Sequence, residues 1–211
     1  MSDTNEPDLA NFLHLTDRFT RAIDYARQVH VDNRKGTSVP TMAHLLGVAS
    51  LVMGESGHVH FPVTEDMIIG ALLHDAVEDE GGLPRLRDIE ANFGREVAKI
   101  VEGCSDSFAE DSSRKQEWEV RKTSYIDRLQ NESEGTLLVS VADKVYNAHS
   151  ILGDYRDLGP ALWSRFKRGR DKQLWYFTEL AKVYAKKDLG RLPAELKRTV
   201  DELAMLSAAQ S

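Results

Sequence analysis

Apolar residues recur at helical spacing along nearly the whole 211-residue chain, and no alternating β-branched run or hairpin dipeptide interrupts them. With nothing from which to build a sheet, the sequence predicts an all-α fold. Phe19, Ala22, Ile23, Ala26 and Val29 mark a first helix, with Thr16 or Asp17 as its N-cap. The Gly-containing, basic stretch Asn33–Pro40 ends it, and Thr41 opens a second helix that stops near Gly54. Thr64-Glu65-Asp66 caps a third, expected to run from Met67 to Asp79 before Gly81-Gly82. Shorter helices follow from Pro84 to Gly94 and around Val97–Cys104, and the polar stretch Ser105–Ser113 reads as a mobile loop. Trp118, Tyr125 and Leu129 belong to the next helix, and Leu137–Leu152 forms a long apolar one. Two C-terminal helices, 162–187 with a break near Gly169 and 193–206, complete the pattern. The length suits a single domain over residues 1–211, and 41% hydrophobic residues suffice for a packed core.

Charge and composition remove several classes of function. The chain has 27 basic and 34 acidic residues, a net charge of −7, which disfavours non-specific binding to duplex nucleic acid. Its longest near-apolar run, Met67–Leu73, is too short to span a bilayer. The N-terminus lacks the features of a secretory signal, and the single cysteine, Cys104, rules out an intramolecular disulfide; a cytoplasmic location is expected. Against the acidic average, Trp163–Arg198 holds 11 basic and 4 acidic residues. That segment reads as a solvated helical face, as a homo-oligomer contact, or as a field that draws in an anionic substrate.

Three sets of polar residues sit where the pattern calls for apolar ones. The helix Met67–Leu73 runs into His74, Asp75, Glu78 and Asp79, with His74/Glu78 and Asp75/Asp79 each spaced i,i+4. Asp143 interrupts a second apolar helix, with Asn147 one turn later and Lys144 beside it. His44 interrupts a third. Each alone has a bland explanation: an exposed helix end, a satisfied aspartate, a core histidine. Together, two imidazoles and two carboxylates supply a ligand set for one divalent cation, with positions left for water or phosphate. The mixed, fairly hard set suits Mn²⁺ or Fe²⁺ ahead of Zn²⁺, Co²⁺ or Mg²⁺.

The order His44, His74-Asp75, Asp143 resembles the HD-domain metal-dependent phosphohydrolases. The strings Ala71-Leu-Leu-His-Asp-Ala-Val-Glu-Asp79 and Val141-Ala-Asp-Lys-Val-Tyr-Asn147 are more specific. They are similar to the hydrolase half of the RelA/SpoT homologues, above all the single-domain small alarmone hydrolases of metazoan SpoT type. Arg34-Lys35, Asn92-Phe-Gly94 and Trp118–Tyr125 with Arg121-Lys122 add to the likeness, which covers about residues 16–155. The basic C-terminal helices, 160–207, lie beyond it.

The resemblance implies an HD-type helical bundle in which His44, His74, Asp75 and Asp143 bind a metal, Mn²⁺ in the alarmone hydrolases. Glu78 and Asp79 would orient or deprotonate water, and Asn147 would hold that water or the phosphate. Arg34 and Lys35 would meet the guanine and phosphates of ppGpp, with Arg121, Lys122 and Lys144 as further phosphate contacts or, taken singly, ordinary surface charges. The implied reaction removes the 3′-pyrophosphate to give GDP or GTP. Leu45, Thr41 and Glu80 stand where that group usually has Pro, an aromatic residue and Thr. These changes bear on the nucleotide pocket rather than on the metal set. They keep open an HD nucleotidase or phosphatase acting on a dNMP, dNTP, cyclic nucleotide or NADPH. A non-catalytic nucleotide sensor is the third reading.

Overall fold

The computed structural model describes residues 13–79, 81–109 and 116–209, with the side chain of Asp79 outside the description. Its helices are α1 (Asp17–Val29), α2 (Thr41–Gly54), α3 (Glu65–Leu73), α4 (Ala76–Asp79), α5 (Gly82–Phe93), α6 (Arg95–Cys104), α7 (Trp118–Leu129), α8 (Glu134–Leu158), α9 (Gly169–Tyr184) and α10 (Leu192–Ala208). A 3₁₀ helix, Gly159–Arg165, joins α8 to α9. The only β pairing among the described residues is an isolated bridge between Asn33 and Pro40, so the all-α expectation holds.

Local chemistry sets the helix starts. The Thr16 hydroxyl accepts from the Arg18 amide, and Thr64 accepts from the Met67 amide. The two starts are tied together: Glu65 accepts from the Thr16 amide at 2.6 Å and its hydroxyl at 2.9 Å, while Arg18 reaches Glu65, Asp66 and the Phe93 carbonyl. Ser133 caps α8, whose 25 residues make it the axial helix of the bundle, about 38 Å long at 1.5 Å per residue. Helices α2, α3, α6, α9 and α10 all pack against α8. The main core buries Leu45, Val48, Ile68, Leu72, Leu138, Val141 and Val145 between them. A smaller cluster of Leu152, Tyr155, Leu162 and Leu203 holds the C-terminal elements to the far end of α8.

Gly47 fixes how near α2 comes to α8. A β-carbon there would stand 2.1 Å from Tyr146 Cε2, so a side chain at this position would force the Tyr146 ring or the helices to shift. This close approach is what brings His44 to Asp143. Gly169, at φ +69°, starts α9 and produces the break expected near that residue.

Two expectations need correction. The helix expected from Met67 to Asp79 ends at Leu73 and restarts at Ala76. The His74 ring donates from Nδ1 to the Ala71 carbonyl at 2.7 Å, a carbonyl that a continuous helix reserves for the Asp75 amide. The stretch expected to be a mobile loop begins with anchored residues: Ser105 and Ser107 are buried, and the Asp106 carboxylate is 3% exposed. Residues 110–115 of that stretch lie outside the described residues.

Candidate metal centre and substrate cavity

The break in α3–α4 has a direct geometric consequence. Adjacent residues on a continuous helix point about 100° apart, yet His74 and Asp75 turn into one cluster. His74 Nε2 lies 3.2 Å from Asp75 Oδ1. From α2, His44 Nε2 lies 3.2 Å from each of His74 Nε2, Asp75 Oδ2 and Asp143 Oδ1. Asp143, from α8, is 3.5 Å from His74 Nε2. Four side chains from three parts of the chain thus converge as the sequence anticipated.

Hydrogen bonding alone does not account for this arrangement. One N–H on His44 Nε2 cannot serve a nitrogen and two carboxylates at the same distance. His74 Nδ1 is committed to the Ala71 carbonyl, which turns its Nε2 toward the cluster. His44 Nδ1 is buried and has no hydrogen-bond partner among the described residues. The electrostatics point the same way. Burial pushes the His74 imidazole down, but Asp75 and Asp143 outweigh it and hold the group up at about 9. Burial alone would raise Asp75, yet His74 and His44 hold its carboxyl well below the usual range. Asp143 behaves likewise through Lys144 and the two histidines. The cluster attracts positive charge, and its two nitrogens and two carboxylates fit a divalent metal.

Next to this centre, reached through Lys144 and Asn147, lies a cavity of about 910 Å³, lined by residues that include Arg34, Lys35, Glu78, Lys122, Lys144 and Asn147. Asn147 connects the two parts: its Nδ2 donates to Asp143 Oδ1 at 2.5 Å, and its Oδ1 accepts from the Arg34 guanidinium. Glu78 faces the cavity from α4, with Arg121 Nη1 3.5 Å from its Oε1.

The remaining cations are not ordinary surface charges. Lys144 pairs with Asp143 and lies over the Tyr125 ring, 5.4 Å from its centroid. Burial disfavours its charge, but Asp143 outweighs it and raises the ammonium well above its ordinary value. Arg121 and Lys122 both bind Asp106; Lys122 also reaches the cavity, whereas Arg121 does not line it. Asp79 is the one sequence-selected residue whose side chain lies outside the description.

Several cavity residues were not picked out individually by the sequence. His30, at the end of α1, is buried, and its Nε2 has no partner among the described residues; burial pushes it down to about 4. Arg165, Phe166, Lys167, Arg168, Tyr176 and Phe177 form a wall contributed by the C-terminal segment. Part of the basic stretch therefore borders the cavity. Its distal members include Lys182, Lys197 and Arg198, exposed and paired with acids three or four residues away on the same helix. Trp118 packs on Trp175 and Tyr176 at centroid distances of 6.2 and 5.9 Å. His60 sits between Glu134 and Asp188 on the surface. Burial pushes the Cys104 thiol up, which suits a packing role rather than a reactive one.

Comparison with known proteins agrees with this arrangement. A family model described as HD domain matches residues 22–167. The guanosine-3′,5′-bis(diphosphate) 3′-pyrophosphohydrolase MESH1 of Mus musculus is 32% identical over 149 residues, covering 69% of this chain and 74% of that protein. Among solved structures, a metazoan orthologue of SpoT that hydrolyses ppGpp superposes with a TM-score of 0.71. At 22% identity, over 91% of this chain and 98% of that one, the match shows a shared fold. The lmo0812 protein of Listeria monocytogenes EGD-e gives a TM-score of 0.63 at 29% identity, covering 79% of this chain and 99% of that one. With a His₂Asp₂ cluster, buried but for Asp75, at the meeting point of α2, the α3–α4 break and α8, and a family match across more than half its length, this chain belongs to the HD-domain family.

Proposed function

We propose that this chain is a metal-dependent phosphohydrolase that removes the 3′-pyrophosphate of (p)ppGpp, releasing GDP or GTP. The observation that carries the reading is the convergence of His44, His74, Asp75 and Asp143 beside a cavity rimmed with cations. The activity printed for the MESH1 relatives supplies the substrate to test first.

His44, His74, Asp75 and Asp143 would hold the cation, with Mn²⁺ the preferred ion for this mixed donor set. When bound, such an ion supplies Lewis-acid neutralisation of phosphate charge and increases the acidity of water. The protein's own groups do the rest. Arg34 and Lys35 bind the anionic nucleotide, and the Arg34 plane is suited to stacking on a purine. Asn147 fixes Arg34 relative to Asp143, so substrate binding and the cation site share one hydrogen-bonded frame. Lys122 and Lys144 add positive potential to the cavity wall. Glu78, with Asp79 next in sequence, accepts the proton of the attacking water as the water oxygen bonds to phosphorus and the O3′–P bond breaks; the departing 3′ oxygen takes up a proton from solvent, and Glu78 returns its own to solvent. The chain works as one domain, because α9 and the segment before it complete the cavity opened by the core helices. None of the described helices is long and apolar enough to cross a membrane, which accords with a cytoplasmic enzyme.

The test is product identification from Mn²⁺-loaded protein given ppGpp, GTP, dNTPs, dNMPs, cyclic nucleotides and NADPH. Pyrophosphate from ppGpp is the expected result. Inorganic phosphate from another nucleotide would replace this substrate, and tight binding without turnover would make the chain a sensor.

A further inference from the structure

Asp106 is a buried acid with no role in the chemistry above. It follows α6, and its carboxylate is 3% exposed. One oxygen binds Arg121 Nη1 and the other Lys122 Nζ, the latter at 2.6 Å. Burial alone would raise its carboxyl, but Lys122, Arg121 and a side-chain hydrogen bond with Glu78 hold it below the usual range. The same residue reaches Glu78 by two further routes. Its backbone N–H points at Glu78 Oε2 from 3.5 Å, and the Arg121 nitrogen it binds lies 3.5 Å from Glu78 Oε1.

Anchoring a loop requires one counter-ion, whereas Asp106 has two. A guanidinium beside an uncontested carboxylate closes into a short bidentate pair. Such a pair would draw Glu78 away from the cavity and weaken it as a base. By holding Arg121, Asp106 prevents that closure.

We propose that Asp106 is a positioning residue for Glu78: through Arg121 and its own backbone N–H it sets where the proton-accepting carboxylate stands. The inference rests on the reading of Glu78 as proton acceptor.

The experiment is a double-mutant cycle of Asp106→Asn and Glu78→Gln in the full chain with Mn²⁺ and ppGpp, joined to a readout that needs no substrate. Asp106→Asn should lower kcat about 10- to 100-fold with KM little changed, less than the roughly 100- to 10,000-fold that loss of a general base costs. In the Glu78→Gln background it should cost nothing further in kcat, since both changes act on one group. Additive losses would overturn the proposal. In the absence of substrate, the Glu78 ¹³Cδ resonance, assigned by its disappearance in Glu78→Gln, should move in Asp106→Asn; an unmoved resonance would also overturn it. If Asp106→Asn does not fold, Arg121→Gln removes the bridging guanidinium and should show the same non-additivity and the same shift. A moved resonance in a protein that releases no pyrophosphate from ppGpp would overturn the substrate assignment and leave Asp106 in this role. Pyrophosphate release with an unmoved resonance would do the reverse.

Discussion

Replacing Asp143 with Asn should remove the cation and destabilise the fold, because one carboxylate serves both. Its Oδ1 meets His44 at 3.2 Å and His74 at 3.5 Å, and its Oδ2 is the counter-ion of Lys144. The Asp143 and Lys144 side chains are 7% and 13% exposed, so solvent screens the pair little. Removing one member of a buried ion pair costs about 3–5 kcal/mol, because the other charge stays behind uncompensated. For a chain of this size each kcal/mol moves Tm by roughly 2–4 °C, which puts the expected fall at about 6–20 °C. A ligand contributes more than the outer groups whose loss costs roughly 10- to 100-fold in metal affinity, so Mn²⁺ binding should weaken beyond that range. The assay is thermal unfolding of both proteins with Mn²⁺ and with chelator, alongside elemental analysis of bound metal. Wild type should lose Tm on chelation, and the variant should unfold at one lower temperature in either condition. A variant that keeps stoichiometric metal and the wild-type Tm would refute both the ligand assignment and the buried-pair energetics.

Other perturbations test separate parts of the structure. Glu78→Gln should retain the metal and lose roughly 100- to 10,000-fold in kcat, measured as pyrophosphate release; an unchanged rate would remove Glu78 from the chemistry. Gly47→Ala forces a methyl to within 2.1 Å of Tyr146, whose ring packs edge-on against His44. It should cost about 1–3 kcal/mol, read from the denaturant midpoint, and weaken metal binding without touching a ligand. Glu65 gives an acid-side effect. Burial favours its neutral form, but Thr16 and Arg18 outweigh this and hold the carboxyl below its ordinary value of 4.5. Its contribution is therefore present above that value and is lost as pH falls through the lowered one. Glu65→Gln should lower Tm at neutral pH and flatten the acid limb; identical melting curves down to acid pH would exclude the Thr16–Glu65 clasp as a stabilising contact.

The fold class and the residues that converge between α2, the α3–α4 break and α8 were legible because both are written in local pattern. Helical spacing without strand alternation leaves a bundle as the outcome, and His44, His74, Asp75 and Asp143 stood out as polar groups in apolar surroundings. The helix starts at Thr16 and Thr64 were readable from their capping chemistry. The break after Leu73 was not, since it depends on the His74 ring reaching the Ala71 carbonyl. Arg121 and Lys122 read singly as surface charges because a sequence does not display the distant acid that pairs with them. For Arg121 and Lys122 that acid is Asp106, in a stretch whose polarity suggested only a loop.

Composition and spacing thus determined by themselves that the chain is helical and that His44, His74, Asp75 and Asp143 stand out from apolar surroundings, because the hydrophobic effect and backbone hydrogen bonding act over a few residues at a time. Which charges meet was decided only by packing. His30, Asp106 and the 165–177 wall acquire their meaning from α1, α7 and α9 closing around one cavity. Electrostatic partnership falls off with distance through space and is indifferent to separation along the chain.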